Sequence, residues 1–90
     1  MIPDKFLPIG SVVLLKGGSK RIMINGYLCT EEGKSDKTYD YCGCLFPEGF
    51  ITMNTNLLFN HDQIEKVDHL GLIDEEEQEF QNKINELIKK

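Results

Sequence analysis

Short apolar runs separated by glycine and proline turns fill the first two thirds of the chain, a pattern typical of short β-strands. Residues 11–16 (SVVLLK) form a β-branched, apolar run that predicts the first strand. The next three residues, Gly17-Gly18-Ser19, predict a tight hairpin turn, because glycine readily adopts the positive φ that such turns need. Residues 21–29 (RIMINGYLC) predict the second strand, and Gly26 within it indicates a bulge.

The middle of the chain predicts a third strand at residues 38–46 (TYDYCGCLF), after a polar loop at residues 31–37 (EEGKSDK). The sequence Pro47-Glu48-Gly49 predicts a turn, since proline presets φ and glycine allows a sharp corner. The predicted turns at residues 17–19 and 47–49 are therefore short connections between strands.

Residues 50–70 are harder to interpret. The apolar groups at 50–52 and 57–59 each suit a short strand, and residues 60–62 (NHD) are typical of a turn. In residues 63–70, Ile64 and Val67 lie three apart, which fits either a bulged strand or a single helical turn; the strand is favoured.

From Asp74 onward the apolar spacing becomes helical. Asp74 predicts an N-cap, with Glu77 three residues later as its capping-box partner. Acidic residues in the first turn and lysines at residues 89–90 suit the two ends of the helix dipole. The apolar residues of this segment fall on one helix face: Phe80, Ile84, Leu87 and Ile88.

The predicted fold class is α+β, mainly β. A small antiparallel sheet of four to five strands is expected to curl into an SH3-like barrel or roll at residues 1–72, followed by one amphipathic helix at residues 73–90. Both parts belong to a single domain, because a chain of 90 residues has material for one modest core.

The helical stripe admits two interpretations. It packs across the sheet and completes a small core, or it docks on a partner protein as a helix in a groove. The second interpretation makes the stripe and its acidic start candidate partner-binding residues: Phe80, Ile84, Leu87, Ile88, Glu75 and Glu76. The open sheet edges are a further place where a partner strand can add.

Charge narrows the choice of partner. The formal net charge is −5, and residues 62–90 hold nine acidic residues against four lysines. Acidic proteins repel phosphate backbones, so nucleic acid is not expected as a partner, although Lys16, Lys20 and Arg21 form a small basic group that keeps an SH3-like nucleic-acid binder as an alternative. The chain has no apolar run long enough for a membrane span and no signal-peptide pattern at its start, so a cytoplasmic protein is expected.

The residues that carry chemistry do not form a recognisable catalytic motif. Three cysteines and two histidines leave a small hydrolase or metal-dependent enzyme using Cys42 or Cys44 with His61 as an alternative. No nucleophile-elbow or C-x-x-C pattern is present, and small buried thiols explain the cysteines equally well. The chain is therefore expected to be no enzyme and to need neither cofactor nor metal.

Several blocks of the chain resemble domain-of-unknown-function family 4176, a family of small proteins from Gram-positive bacteria (Firmicutes). The similarity covers about residues 6–75. It rests on these blocks: residues 7–18 (LPIGSVVLLKGG), 21–26 (RIMING), 39–41 (YDY) with Gly43, 45–49 (LFPEG) and 59–64 (FNHDQI), with Val67 and Gly71. The resemblance also implies these core positions: Leu14, Ile22, Ile24, Leu45, Ile64 and Val67.

The resemblance implies a function that the residues alone do not. Its members are similar to accessory proteins encoded beside type VII secretion loci and LXG toxins. It therefore implies a non-catalytic, cytoplasmic protein-binding factor, a chaperone or targeting adaptor for a type VII-secreted toxin or another secretion component. An immunity protein that neutralises the toxin is the alternative. The family has no assigned catalytic residues to carry over, and a homodimer is compatible with the sequence.

Overall fold

The computed structural model describes residues 6–31, 34–50 and 56–88. Five antiparallel strands precede one α-helix in this part of the chain. The elements are β1 (Val12–Leu15), β2 (Ile22–Glu31), β3 (Lys34–Leu45), β4 (Leu57–Phe59), a 3₁₀ turn (His61–Gln63), β5 (Ile64–His69) and α1 (Glu75–Ile88). The predicted α+β class, mainly β with one C-terminal helix, is confirmed.

The strands form one sheet in the order β4-β3-β2-β1-β5. Within the described ranges β4 and β5 are its two edges and do not pair with each other, so the sheet is open. The fourth and fifth strands confirm two of the predicted apolar segments. The other predicted segment, residues 50–52, lies outside the described residues except for Phe50, which is not in a strand.

The β1–β2 hairpin confirms the glycine turn. Val13 opposes Ile22, and Gly18 N donates to Leu15 O at 3.0 Å across the connection. Only the first of the two glycines, Gly17, has a positive φ, at 77°. The predicted proline turn is also present, with Gly49 at a φ of 77° and its N donating to Leu45 O at 2.7 Å.

The β2–β3 pair is longer than predicted. The polar loop expected at residues 31–37 is wrong, because β2 runs to Glu31 and β3 begins at Lys34, and these two residues pair. The bulge predicted at Gly26 is confirmed by a register shift between Ile24 and Gly26. A Cβ on Gly26 would lie 2.6 Å from Cys42 Sγ, so any larger residue at this position would have to displace the Cys42 thiol.

The last strand, β5, settles the ambiguity at residues 63–70 in favour of a strand with bulges, because its pairing with β1 shows two register shifts. It is an edge strand and mostly exposed. Val67, one of the implied core positions, is 41% exposed, so that assignment is wrong.

The core lies on one face of the sheet. Its buried side chains come from β1, β2, β3, β4, α1 and the segment before β1: Phe6, Val13, Ile22, Ile24, Tyr41, Phe59 and Ile84. Among the implied core positions, Ile22 and Ile24 are buried, whereas Leu14, Leu45 and Ile64 are half-buried. In the described part of the chain, no helix is long and apolar enough to cross a membrane.

Candidate protein-binding surface

The predicted helical stripe does not act as one face. Ile84 is 2% exposed and belongs to the core, whereas Phe80 is 50% and Leu87 63% exposed. The side chain of Ile88 lies outside the described residues, as do Lys89 and Lys90. The helix α1 therefore packs on its own sheet through Ile84 and leaves two large apolar side chains in solvent.

The two acidic candidates, Glu75 and Glu76, lie exposed in the first turn of α1. The helix start confirms Asp74 as the N-cap, because Asp74 Oδ1 accepts from Glu77 N at 2.9 Å. The other half of the predicted capping box is not formed, because the Glu77 carboxylate instead accepts from Gln81 Nε2 at 2.8 Å. Glu77 is thus turned along the helix rather than back toward its cap.

Gln81 attaches α1 to the start of the domain, a role that the sequence interpretation missed. Its Oε1 accepts from Phe6 N at 3.1 Å, and its Nε2 donates to Phe6 O at 2.8 Å. The side chain is 3% exposed, so both backbone groups are satisfied away from water. The usable signal was its position three residues before Ile84, which puts it on the buried helix face.

A groove lies between the start of α1 and the sheet. We call it the acidic groove, with a volume of about 370 Å³. Its apolar lining consists of Ile9, Leu72, Phe80 and Tyr27, of which the first three are exposed. Its polar lining consists of the carboxylates of Asp74, Glu76 and Glu77. The Phe80 and Tyr27 rings are tilted against each other with centroids 5.9 Å apart.

One carboxylate oxygen of Glu77 lacks a hydrogen-bond donor among the described residues. Glu77 Oε2 accepts from Gln81, but Oε1 is buried without a hydrogen-bond donor among the described residues. An unsatisfied buried acceptor costs free energy, more so when it is charged. Glu77 therefore brings to the groove lining a carboxylate with one acceptor that no described residue satisfies.

A network of tyrosine hydroxyls holds the wall of the groove that contains Ile9. Tyr27 Oη donates to Leu7 O, and Leu7 N donates to Tyr41 Oη at 3.0 Å. Tyr41 Oη in turn lies 2.7 Å from His61 Nδ1. Because the Tyr41 oxygen already accepts from Leu7, its own hydrogen is free to donate to His61.

The two tyrosines predict a loss of stability at high pH. Burial, followed by the nearby Glu77 carboxylate, raises the pKa of Tyr27 to about 12, and burial raises the pKa of Tyr41 to about 12. The folded pKa values exceed the ordinary value near 10, so the protein should keep this stability below pH 10 and lose it as pH rises toward about 12.

Urea denaturation as a function of pH checks this expectation. In the Tyr27→Phe variant the free energy of unfolding should fall less steeply above pH 10, since one of the two buried tyrosine hydroxyls is gone. A loss of stability that is as steep in Tyr27→Phe as in the parent would contradict the assignment.

The crossing of Gly71 over the Ile9–Ser11 segment sets the other wall. Gly71 N donates to Ser11 Oγ at 3.0 Å, and Ser11 is fully buried. A Cβ on Gly71 would overlap the Ile9 carbonyl, so the two backbones can approach this closely only at a glycine. This crossing brings Leu72 next to Ile9.

The residues of the alternative hydrolase are not brought together. Tyr41 faces His61, and the next residue along β3, Cys42, points to the opposite face of the sheet, where its Sγ donates to Asn25 Oδ1 at 3.3 Å. Burial and the neighbouring Cys29 thiol raise the pKa of Cys42 to about 12, which keeps it protonated at neutral pH. Cys44 is buried.

No metal-binding arrangement is present in residues 6–31, 34–50 and 56–88, where no group of three or more His, Cys, Asp or Glu side chains converges. The basic group is divided by ion pairs. Lys20 Nζ lies 2.7 Å from Glu48 Oε1, and Arg21 Nε lies 2.7 Å from Asp68 Oδ2. A second open cleft beside Arg21 and Asp68 is lined also by Val12, Phe46 and His69.

Comparison with known proteins places the chain in a family. No curated protein and no solved structure matches the chain. The model of a domain of unknown function, DUF4176, matches residues 6–80, which include the sheet, the acidic groove and the first turns of α1. The chain therefore belongs to the DUF4176 family.

Proposed function

We propose that this chain is a non-catalytic protein-binding accessory factor, a cytoplasmic chaperone or targeting adaptor for a toxin exported by a type VII secretion system. The observation that carries the proposal is the set of large apolar side chains left in solvent around the start of α1. The resemblance described above supports the class of partner, because it associates the family with loci that encode LXG toxins.

The exposed side chains form a patch rather than scattered single residues. Leu72 is 74% exposed, and Ile9 and Phe80 line the same groove. Contiguous apolar surface on a small protein favours an interaction site, because water is excluded from it only when a partner binds. The groove is open to solvent along its length, which suits a protein segment better than a small substrate.

We further propose that the five-stranded sheet curls into an SH3-like barrel. The strand order β4-β3-β2-β1-β5 puts β4 and β5 at opposite edges, yet only residues 60–63 connect them, and three of these form a 3₁₀ turn. In a flat sheet the edges would lie about 19 Å apart, at about 4.8 Å per strand. A connection containing a 3₁₀ turn spans about 13 Å, which supports a sheet that curls to bring its two edge strands closer together.

Co-expression tests the proposal. The chain is produced together with the toxin encoded beside its gene, and the mixture is separated by size-exclusion chromatography. We expect the two proteins to co-elute at a fixed ratio, with the toxin less soluble when expressed alone. Elution of the chain as a separate species from every product of its own locus would contradict the proposal.

The same pair of proteins distinguishes delivery from neutralisation. A chaperone or adaptor should raise the amount of toxin secreted and leave its toxicity inside the cell unchanged. Protection of cells that express the toxin domain, with secretion unchanged, would assign an immunity role instead.

A further inference from the structure

We infer that the acidic groove binds a cationic amphipathic segment of the partner, with a large apolar side chain between Leu72 and Phe80 and a lysine or arginine on the Glu77 carboxylate. This inference rests on the proposed protein-binding function and adds the surface and the chemistry of the bound segment.

The apolar lining of the groove favours a large apolar side chain on the bound segment. Leu72 and Phe80 are at least half exposed, and Ile9 is 47% exposed beside them. The Tyr27 ring forms a floor at contact distance from Phe80. A leucine, phenylalanine or methionine of a partner that entered here would contact all four side chains and bury surface that is now wet.

The carboxylates of the groove favour a cationic side chain on the bound segment. Asp74, Glu76 and Glu77 line the groove, and no basic side chain among the described residues does. Glu77 Oε1 is buried and lacks a donor among the described residues, so the groove contains an acceptor that its own side chains do not satisfy. A guanidinium or ammonium group is the donor that matches a carboxylate most strongly.

Charge also argues against a second copy of the chain as the occupant. The chain carries a net charge of −5, and the helix start that borders the groove carries consecutive glutamates at residues 75–77. A symmetric dimer through this surface would bring two such acidic borders together, which like-charge repulsion disfavours. A cationic segment of another protein has no such penalty.

The test uses two short synthetic peptides with the same apolar residues at helical spacing, one with lysines at the remaining positions and one with glutamates. Each is titrated into the full-length, isotope-labelled chain, and amide chemical shifts are followed by NMR. We expect the lysine peptide to shift the resonances of Ile9, Leu72 and Phe80, and the glutamate peptide to leave them unchanged. The affinity should fall steeply with added salt.

Matched variants test the charged contact and the apolar contact separately. Glu77→Gln should weaken the lysine peptide about tenfold, because a desolvated charge pair is lost. Glu65→Gln makes the same charge change on exposed β5 and should have no effect. Leu72→Ser should also weaken binding, whereas Val67→Ser, an exposed apolar position on β5, should not.

Shifts located elsewhere on the chain, equal binding of both peptides, or no groove shifts with the lysine peptide would each overturn the inference. The same variants are then used with the co-purified partner. A partner that co-elutes equally with the parent and with Glu77→Gln or Leu72→Ser would overturn the groove assignment and leave the proposed function standing. Peptide binding in the groove without any captured partner would overturn the proposed function and leave the groove assignment standing.

Discussion

Replacing Gln81 with leucine should lower the free energy of unfolding by about 3 kcal/mol. The amide of Gln81 satisfies both Phe6 N and Phe6 O in a buried position. Leucine has a similar volume but no polar atoms, so two backbone groups would be left buried without partners, at about 1–3 kcal/mol each. Urea denaturation followed by far-UV circular dichroism measures the change.

Gln78→Leu is the matched control, because Gln78 lies exposed on the same helix and undergoes the same change of side chain. Its effect should stay within about 0.5 kcal/mol. If the two variants unfold at the same urea concentration, the attachment of α1 to residue 6 through Gln81 is wrong. The structure also predicts that Gln81→Leu, but not Gln78→Leu, increases hydrogen exchange at Phe6.

Gly71→Ala should destabilise the fold by about 2–3 kcal/mol and deform the acidic groove. The new Cβ would overlap the carbonyl of Ile9, a backbone atom that cannot move away as a flexible side chain would. The displaced segment carries Leu72 and donates to buried Ser11, so both a hydrogen bond and a groove wall are affected. Thermal unfolding and the lysine-peptide titration report the two effects separately.

Gly18→Ala provides the comparison for this variant. A Cβ at Gly18 would lie 3.3 Å from Leu15 O, a contact that a slight shift relieves, and the position is far from the groove in the β1–β2 turn. We expect a smaller loss of stability and normal peptide binding. A Gly71→Ala protein with parental stability and affinity would mean that the close crossing of the two backbones does not exist.

Local signals predicted the elements that depend on neighbouring residues. The helix at Glu75–Ile88 and its N-cap Asp74 follow from apolar spacing and capping chemistry, and both are present. The glycine hairpin follows from the positive φ that Gly17 adopts, and the bulge at Gly26 follows from a glycine placed inside a strand. These features require no knowledge of what packs against them.

The errors arise where tertiary context decides. Residues 31 and 34–37 are polar, yet all of them belong to strands, because a two-stranded ribbon is held by backbone hydrogen bonds and does not require an apolar face. Val67 has the composition of a core residue but lies on an edge strand. The pattern specifies the element and not its depth.

The candidate site was only partly predictable for the same reason. Phe80 and Glu76 were identified from the helix alone, whereas Glu75 does not line the groove. The groove also needs Ile9 and Tyr27, which are distant from the helix in sequence. The helix that borders it is attached by the hydrogen bonds of Gln81 to Phe6, which lie 75 residues apart in the sequence. Ile84 was assigned to the same surface and is instead in the core, because one helix face cannot both pack on the sheet and remain free.

The most direct test of binding through the acidic groove is a hydrogen–deuterium exchange footprint of the chain bound to its co-purified partner. We expect slower exchange at residues 71–80 and around Ile9 and Tyr27 in the complex, with β5 (Ile64–His69) unchanged. Protection confined to β5, with residues 71–80 exchanging as in the free chain, would contradict it and would assign partner binding to the edge of the sheet.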